Sequence, residues 1–88
     1  MQVVQSNQFS KSYKKLFPNQ LPEMNNAIEK IIAYPEIGEV KHGDLSWLRV
    51  YKFKILGQLT LIGYSLENEV LTFVAFGPHE NFYRDVKR

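Results

Sequence analysis

The stretch WLRVYKFKILGQLTLIGYSLENEVLTFVAFG, residues 47–77, decides the fold. Its apolar positions recur with a period of two, the spacing that puts alternate side chains on one face of a pleated strand. Two short breaks, Leu56-Gly57 and Glu67-Asn68, interrupt it, and each is brief enough for a hairpin connection. The stretch therefore predicts three strands, Trp47 to Leu56, Gln58 to Leu66 and Glu69 to Gly77. Pro78, with no backbone N–H to donate, ends the last of them. Within the first strand, Trp47, Arg49, Tyr51, Phe53 and Ile55 share one side, and Val50, Lys52, Lys54 and Leu56 the other. The aromatic side is the one expected to meet other elements.

Toward the N-terminus the period lengthens to that of a helix. Phe9, Tyr13, Leu16 and Phe17 fall at i, i+4, i+7 and i+8 behind a capping Ser6 or Asn7, and Pro18 stops the run. A second helix starts near Leu21-Pro22, carries Leu21, Met24, Ile28, Ile31 and Ile32 as its apolar stripe, and ends at Pro35. The short link makes the two an antiparallel hairpin. Met1 to Gln5 reads as a strand centred on Val3 and Val4. Gly38 to Asp44 reads as a loop with room for a short strand, and His79 to Arg88 as one or two helical turns or a coil. The expected fold is α+β in the order β-α-α-β-β-β. A helical hairpin packs on one face of a mostly antiparallel sheet that the first strand joins. Eighty-eight residues leave no room for a second core, so residues 1–88 are expected to form one domain.

Composition narrows the function. There is no cysteine, which removes disulfides, thiolate catalysis and thiolate zinc sites. Two histidines, His42 and His79, without a dense carboxylate cluster give no expectation of a metal or another cofactor. The opening MQVVQSNQF is too polar for a signal peptide, and no apolar run reaches the roughly 18 residues of a membrane span. A cytoplasmic protein without a membrane partner is expected. Net charge is only +2, but it is unevenly spread. Lys41, Arg49, Lys52 and Lys54 face one acid, Asp44, and the tail adds Arg84, Lys87 and Arg88, whereas Glu23 to Glu39 holds four acids and one lysine. That polarity favours an anionic partner at one end.

Lys52 and Lys54 project from one strand face about 7 Å apart. They suit two phosphates, or one phosphate and a developing negative charge; equally, they suit the ordinary solvent side of a half-buried sheet. The segment Gly77-Pro78-His79-Glu80-Asn81-Phe82-Tyr83-Arg84-Asp85 is denser in chemistry. His79 offers an imidazole that can act as acid or base, Tyr83 a ring and a hydroxyl, and Arg84 a fixed cation. In a helix His79 and Tyr83 share a side; the alternative is a terminal cap in which Phe82 plugs the core. His42 and Asp44 read as turn residues, and Arg49 as a cation among aromatics. No glycine-rich phosphate loop, carboxylate pair or Ser-His-Asp set is present. Lysines, an arginine, a histidine and a tyrosine can nevertheless cleave RNA without a metal, through attack of the 2′-hydroxyl on the adjacent phosphate.

At these residues the chain resembles the RelE/ParE toxins over nearly its whole length. The likeness rests on Gln8 to Leu16, on Lys41-His42-Gly43-Asp44-Leu45 running into Arg49-Val50-Tyr51-Lys52-Phe53-Lys54, and on Val74 to Asp85. The Gly-Pro-His-Glu-Asn-Phe-Tyr-Arg motif at 77–84 is similar to the ending of the RelE-related, ParE-like branch. The resemblance implies a toxin of a two-gene toxin–antitoxin module with a cognate antitoxin as partner. RelE-type members cut mRNA on the ribosome and so inhibit translation; ParE-type members inhibit DNA gyrase. By that likeness Lys52, Lys54 and Tyr83 are the candidate catalytic residues, with His79 and Arg84 as their neighbours; by their own chemistry His79 joins them as a candidate acid or base, and Lys41, Arg49 and Arg84 are candidate substrate contacts. One feature departs from the pattern. Family members often carry an arginine early in the strand after the lysine strand, where this chain has Gln58-Leu59-Thr60-Leu61-Ile62. Its charge is either supplied by His79, Arg84 or Arg49 or missing, and in the second case an inactive interaction domain is a further alternative.

Overall fold

The computed structural model describes residues 1–86. The elements are β1 (Gln2–Gln5), α1 (Asn7–Lys14), α2 (Leu21–Ala33), β2 (Glu39–Val40), β3 (Arg49–Ile55), β4 (Gln58–Glu67), β5 (Val70–Pro78) and α3 (His79–Val86). One five-stranded sheet runs in the order β1-β5-β4-β3-β2. The meander β3-β4-β5 and the β2–β3 pair are antiparallel, while β1 lies parallel to β5. The first strand thus joins the meander at its far edge, and the α+β order predicted from periodicity is the one observed.

Local chemistry explains the boundaries. Ser6 caps α1 by accepting the Phe9 N–H at 3.0 Å, and it also donates to the Val74 carbonyl, so one hydroxyl fixes both the helix start and the β1–β5 join. Pro22 sits in the first turn of α2, where its missing N–H costs nothing. The first hairpin turns at Leu56-Gly57, both left-handed. The Leu56 N–H is held by the Glu23 carboxylate at 2.8 Å, tying that turn to α2. The second turns at Asn68-Glu69, both left-handed, one residue later than the pattern predicts. Asparagine tolerates that conformation, and β4 gains Glu67 as its last residue.

Two cores sit on opposite faces of the sheet. Under the hairpin, Phe9, Met24, Ala27 and Ile31 meet Ile55, Ile62, Tyr64, Leu71 and Phe73, all buried. Under α3, Phe82 and Val86 meet Leu48, Val50, Leu61 and Ala75. A bulge makes this division possible on β5. Gly63 pairs with Ala75 and Tyr64 with Phe73, so Val74 has no partner and the side-chain alternation shifts by one there. Leu71, Phe73 and Phe76 consequently all face the hairpin, while Val74 and Ala75 serve the other core.

Tyr51, Phe53 and Ile55 face the hairpin as their spacing predicts. Trp47 does not join them. It precedes β3, after a 3-10 turn at Gly43–Leu45, and is 40% exposed. No helix among the described residues is long and apolar enough to cross a membrane.

Candidate functional site

The candidate site lies on the α3 side of the sheet. Alternation along β3 places Val50, Lys52 and Lys54 on that side, with Val50 buried and both lysines exposed. The reason is reach. Only Phe82 and Val86 of α3 are buried, and they cover the Leu48–Val50 end of β3. Beyond that end Lys52 and Lys54 are exposed, although Leu61 opposite Lys52 stays buried.

Gly63 brings α3 down onto the sheet. A Cβ there would stand 2.7 Å from Phe82 Cζ and 3.1 Å from Leu48 Cδ1, so only glycine lets the ring seat this closely. Phe82 then presents its edge to Tyr83, centroid to centroid 5.1 Å at 87°. The Tyr83 ring lies 5.5 Å from the Lys41 ammonium, within cation–π range. Lys41 also bridges Glu39 at 3.0 Å, and its backbone N–H bonds the Leu48 carbonyl. These contacts leave the Lys41 side chain only 22% exposed, low for a lysine. The Tyr83 side chain first, and Glu39 second, hold the Lys41 ammonium above its usual range. Lys41 in turn holds the Glu39 carboxyl below the usual carboxylate range by a hydrogen bond and by its charge, and Lys52 and His42 act in the same direction.

The row Lys52–Leu61–Gly77 crosses three strands, which separates the Cα atoms of Lys52 and Gly77 by about 10 Å. From Gly77 the chain passes through Pro78 into His79, the exposed first residue of α3. A Cβ on Gly77 would meet nothing within 4 Å, so this part of the floor is unobstructed. Lys41, Lys52, Lys54 and Tyr83 therefore share one face, with His79 at the far end of the helix that borders it. Arg84 is exposed beside Asp85, 3.6 Å from nitrogen to oxygen. Arg49 is on the opposite face, where it donates to the Gly38 carbonyl at 3.3 Å and its charge acts on the Tyr64 phenol. It is not brought together with the lysines. Lys87 and Arg88 lie outside the described residues.

Glu39 is the member of this constellation that the sequence reading passed over. A signal existed, since Glu39 and Lys41 are two residues apart in a strand and share a side, but the segment reads as a glycine-bounded loop. Among the described residues, no group of three or more His, Asp or Glu side chains gathers where it could hold a metal ion.

A second concavity, about 380 Å³, opens on the hairpin side beside β1, lined by Val3, Phe9, Tyr13, Ile28, Ile32 and their neighbours. It contains no lysine, arginine or carboxylate.

A five-stranded sheet with a helical hairpin on one face and a basic, partly covered second face defines the class. The family model of the ParE-like toxin of type II bacterial toxin–antitoxin systems matches residues 3–87, and the chain belongs to that family. It is a toxin of such a module, and the family implies a cognate antitoxin as its partner. Searches of curated proteins and of solved structures found no match.

Proposed function

We propose that this toxin is a metal-independent, ribosome-dependent mRNA endonuclease that stops translation in the cytoplasm. The observation that carries this reading is the gathering of Lys41, Lys52, Lys54 and Tyr83 on the uncovered part of one sheet face. Lys41 beside the Tyr83 ring sets a cation against an aromatic surface, the pairing that suits a phosphodiester with its base.

In this reaction the 2′-hydroxyl loses its proton to a base, and its oxygen attacks the adjacent phosphorus. The bond from phosphorus to the 5′ oxygen breaks, leaving a 2′,3′-cyclic phosphate and a 5′-hydroxyl once that oxygen takes a proton. Lys52 and Lys54 stabilise the charge that builds on the phosphoryl oxygens. Lys41 supplies a further cation that the strand after β3 does not. Tyr83 stacks on a base and orients the 2′-hydroxyl. His79, an imidazole able to give or take a proton, exchanges the proton, and Arg84 contacts the backbone from solvent.

The test is primer extension on a reporter mRNA, with and without ribosomes, using the wild type and Lys52→Ala. Cuts that require ribosomes and fall at least about a hundredfold in the variant are expected, since one lost donor at such a site costs on the order of 3 kcal/mol. The ParE-like family match favours a second reading, non-enzymatic inhibition of DNA gyrase. Growth arrest with DNA damage signalling and no mRNA cuts would select it.

A further inference from the structure

Glu39 is a carboxylate paired with one cation and near others. It is bridged to Lys41 at 3.0 Å. The β2–β3 register sets it opposite Val50, which makes Lys52 its diagonal neighbour on the same face, within reach of a long side chain. The charge of His42 also acts on it. A phosphate oxygen would seek the same neighbours, and a phosphodiester carries the same single negative charge. The Glu39 side chain is nevertheless 67% exposed, and an ion pair so open to water holds weakly. Beside it the Tyr83 ring presents an aromatic surface adjoining the Lys41 ammonium, the juxtaposition that a nucleotide's base and phosphate require together.

We propose that Glu39 is an internal stand-in for a phosphodiester: it occupies a phosphate subsite formed by Lys41 and Lys52, and single-stranded RNA binds by displacing it. The displaced carboxylate swings to solvent, Lys41 transfers its contact from carboxylate to phosphate, and the adjoining base stacks on Tyr83. Glu39 thereby lowers affinity for any RNA that engages the face only loosely. This deepens the nuclease reading and rests on it only for the identity of the anion.

The experiment measures binding, so it does not depend on cleavage. A short single-stranded oligonucleotide methylated at every 2′ oxygen has no nucleophile and remains intact. Its affinity is measured by fluorescence anisotropy across a range of salt for the wild type, Glu39→Gln, Glu29→Gln and the double variant Glu39→Gln/Lys41→Ala, with thermal melts as the fold control. Glu39→Gln is expected to bind about two- to fivefold tighter at low salt, with the log–log salt slope unchanged, because the wild type makes the same phosphate contact once Glu39 is displaced. Glu29→Gln removes the same charge from the exposed side of α2 and is expected to change neither quantity. Adding Lys41→Ala should erase the gain. The proposal is overturned if Glu39→Gln binds no tighter than wild type, if Glu29→Gln gains as much, or if no variant binds. Tighter binding by Glu39→Gln alongside a wild type that makes no ribosome-dependent cuts would keep the subsite and overturn the nuclease. Cuts without any gain would do the reverse.

Discussion

The hairpin covers its face of the sheet with an 8-residue and a 13-residue helix, whereas α3 meets the other face with 8 residues. The larger cover is apolar where it meets the sheet, and even the concavity at its margin is uncharged. The smaller cover ends partway along β3 and leaves Lys52 and Lys54 in water. A strand can hold a row of lysines only where nothing lies over them, because burying an unpaired ammonium is prohibitive. The short reach of α3 is thus the condition for a charged face, and the hairpin side carries the stability that this leaves unsupplied.

The largest test of that division is a pair of core truncations. Ile31→Ala on α2 and Phe82→Ala on α3 each remove a fully buried side chain and should cost about 2–5 kcal/mol. Their reach should differ. Ile31→Ala is expected to lower the melting temperature of the whole domain. Phe82→Ala should instead free α3, seen as amide exchange spreading over residues 79–86 while α2 stays protected. Equal loss of protection in both helices would break the comparison.

Gly63→Ala and Gly77→Ala sharpen it. The first drives a methyl to 2.7 Å from Phe82 and should cost about 1–3 kcal/mol as overpacking. The second meets open space and should leave the melting temperature nearly unchanged.

A smaller effect separates the faces by pH. Burial pushes the Tyr64 phenol above its ordinary value of 10.0. Below that pH both folded and unfolded chains keep the proton. As pH rises past it the unfolded chain loses the proton first, so stability falls toward the folded value. Tyr64→Phe should flatten that alkaline loss. At neutral pH it should cost about 1–3 kcal/mol, because the Gly38 N–H loses its partner at 2.8 Å. Lys41 is also raised, so its contribution likewise disappears at high pH, but this partly exposed group should flatten the curve far less when replaced by Met. Smallest of all, Lys54→Ala should leave stability within about 0.5 kcal/mol, whatever it does to activity; chemical denaturation measures it.

Most of the fold was legible because periodicity records burial. The alternation from Tyr51 to Ile55 and the stripe from Met24 to Ile31 name the hairpin-side core directly. The bulge at Val74 was not legible, since a stretch apolar at nearly every position shows no phase to shift. Nor was the fate of Arg49, because alternation assigns a side and not the contact made there. The candidate site was half legible. Lys52, Lys54 and the motif from His79 to Arg84 stand out by type and spacing, whereas the meeting of Lys41 with Tyr83 joins residues 42 apart in sequence and depends on how α3 crosses the sheet.

The parallel join between β1 and β5 sets an order of events in the chain's birth. Gln2 bonds across to Glu69, and Ser6 to Phe73, so the first strand made must wait for the last before it has a partner. Contacts so distant in sequence close slowly. Nor can α3 seat Phe82 on Gly63 until residues after the final strand have emerged. During synthesis the hairpin can form early, but the basic face has no wall until α3 has followed β5. The basic face is therefore completed only after the hairpin beneath the opposite face.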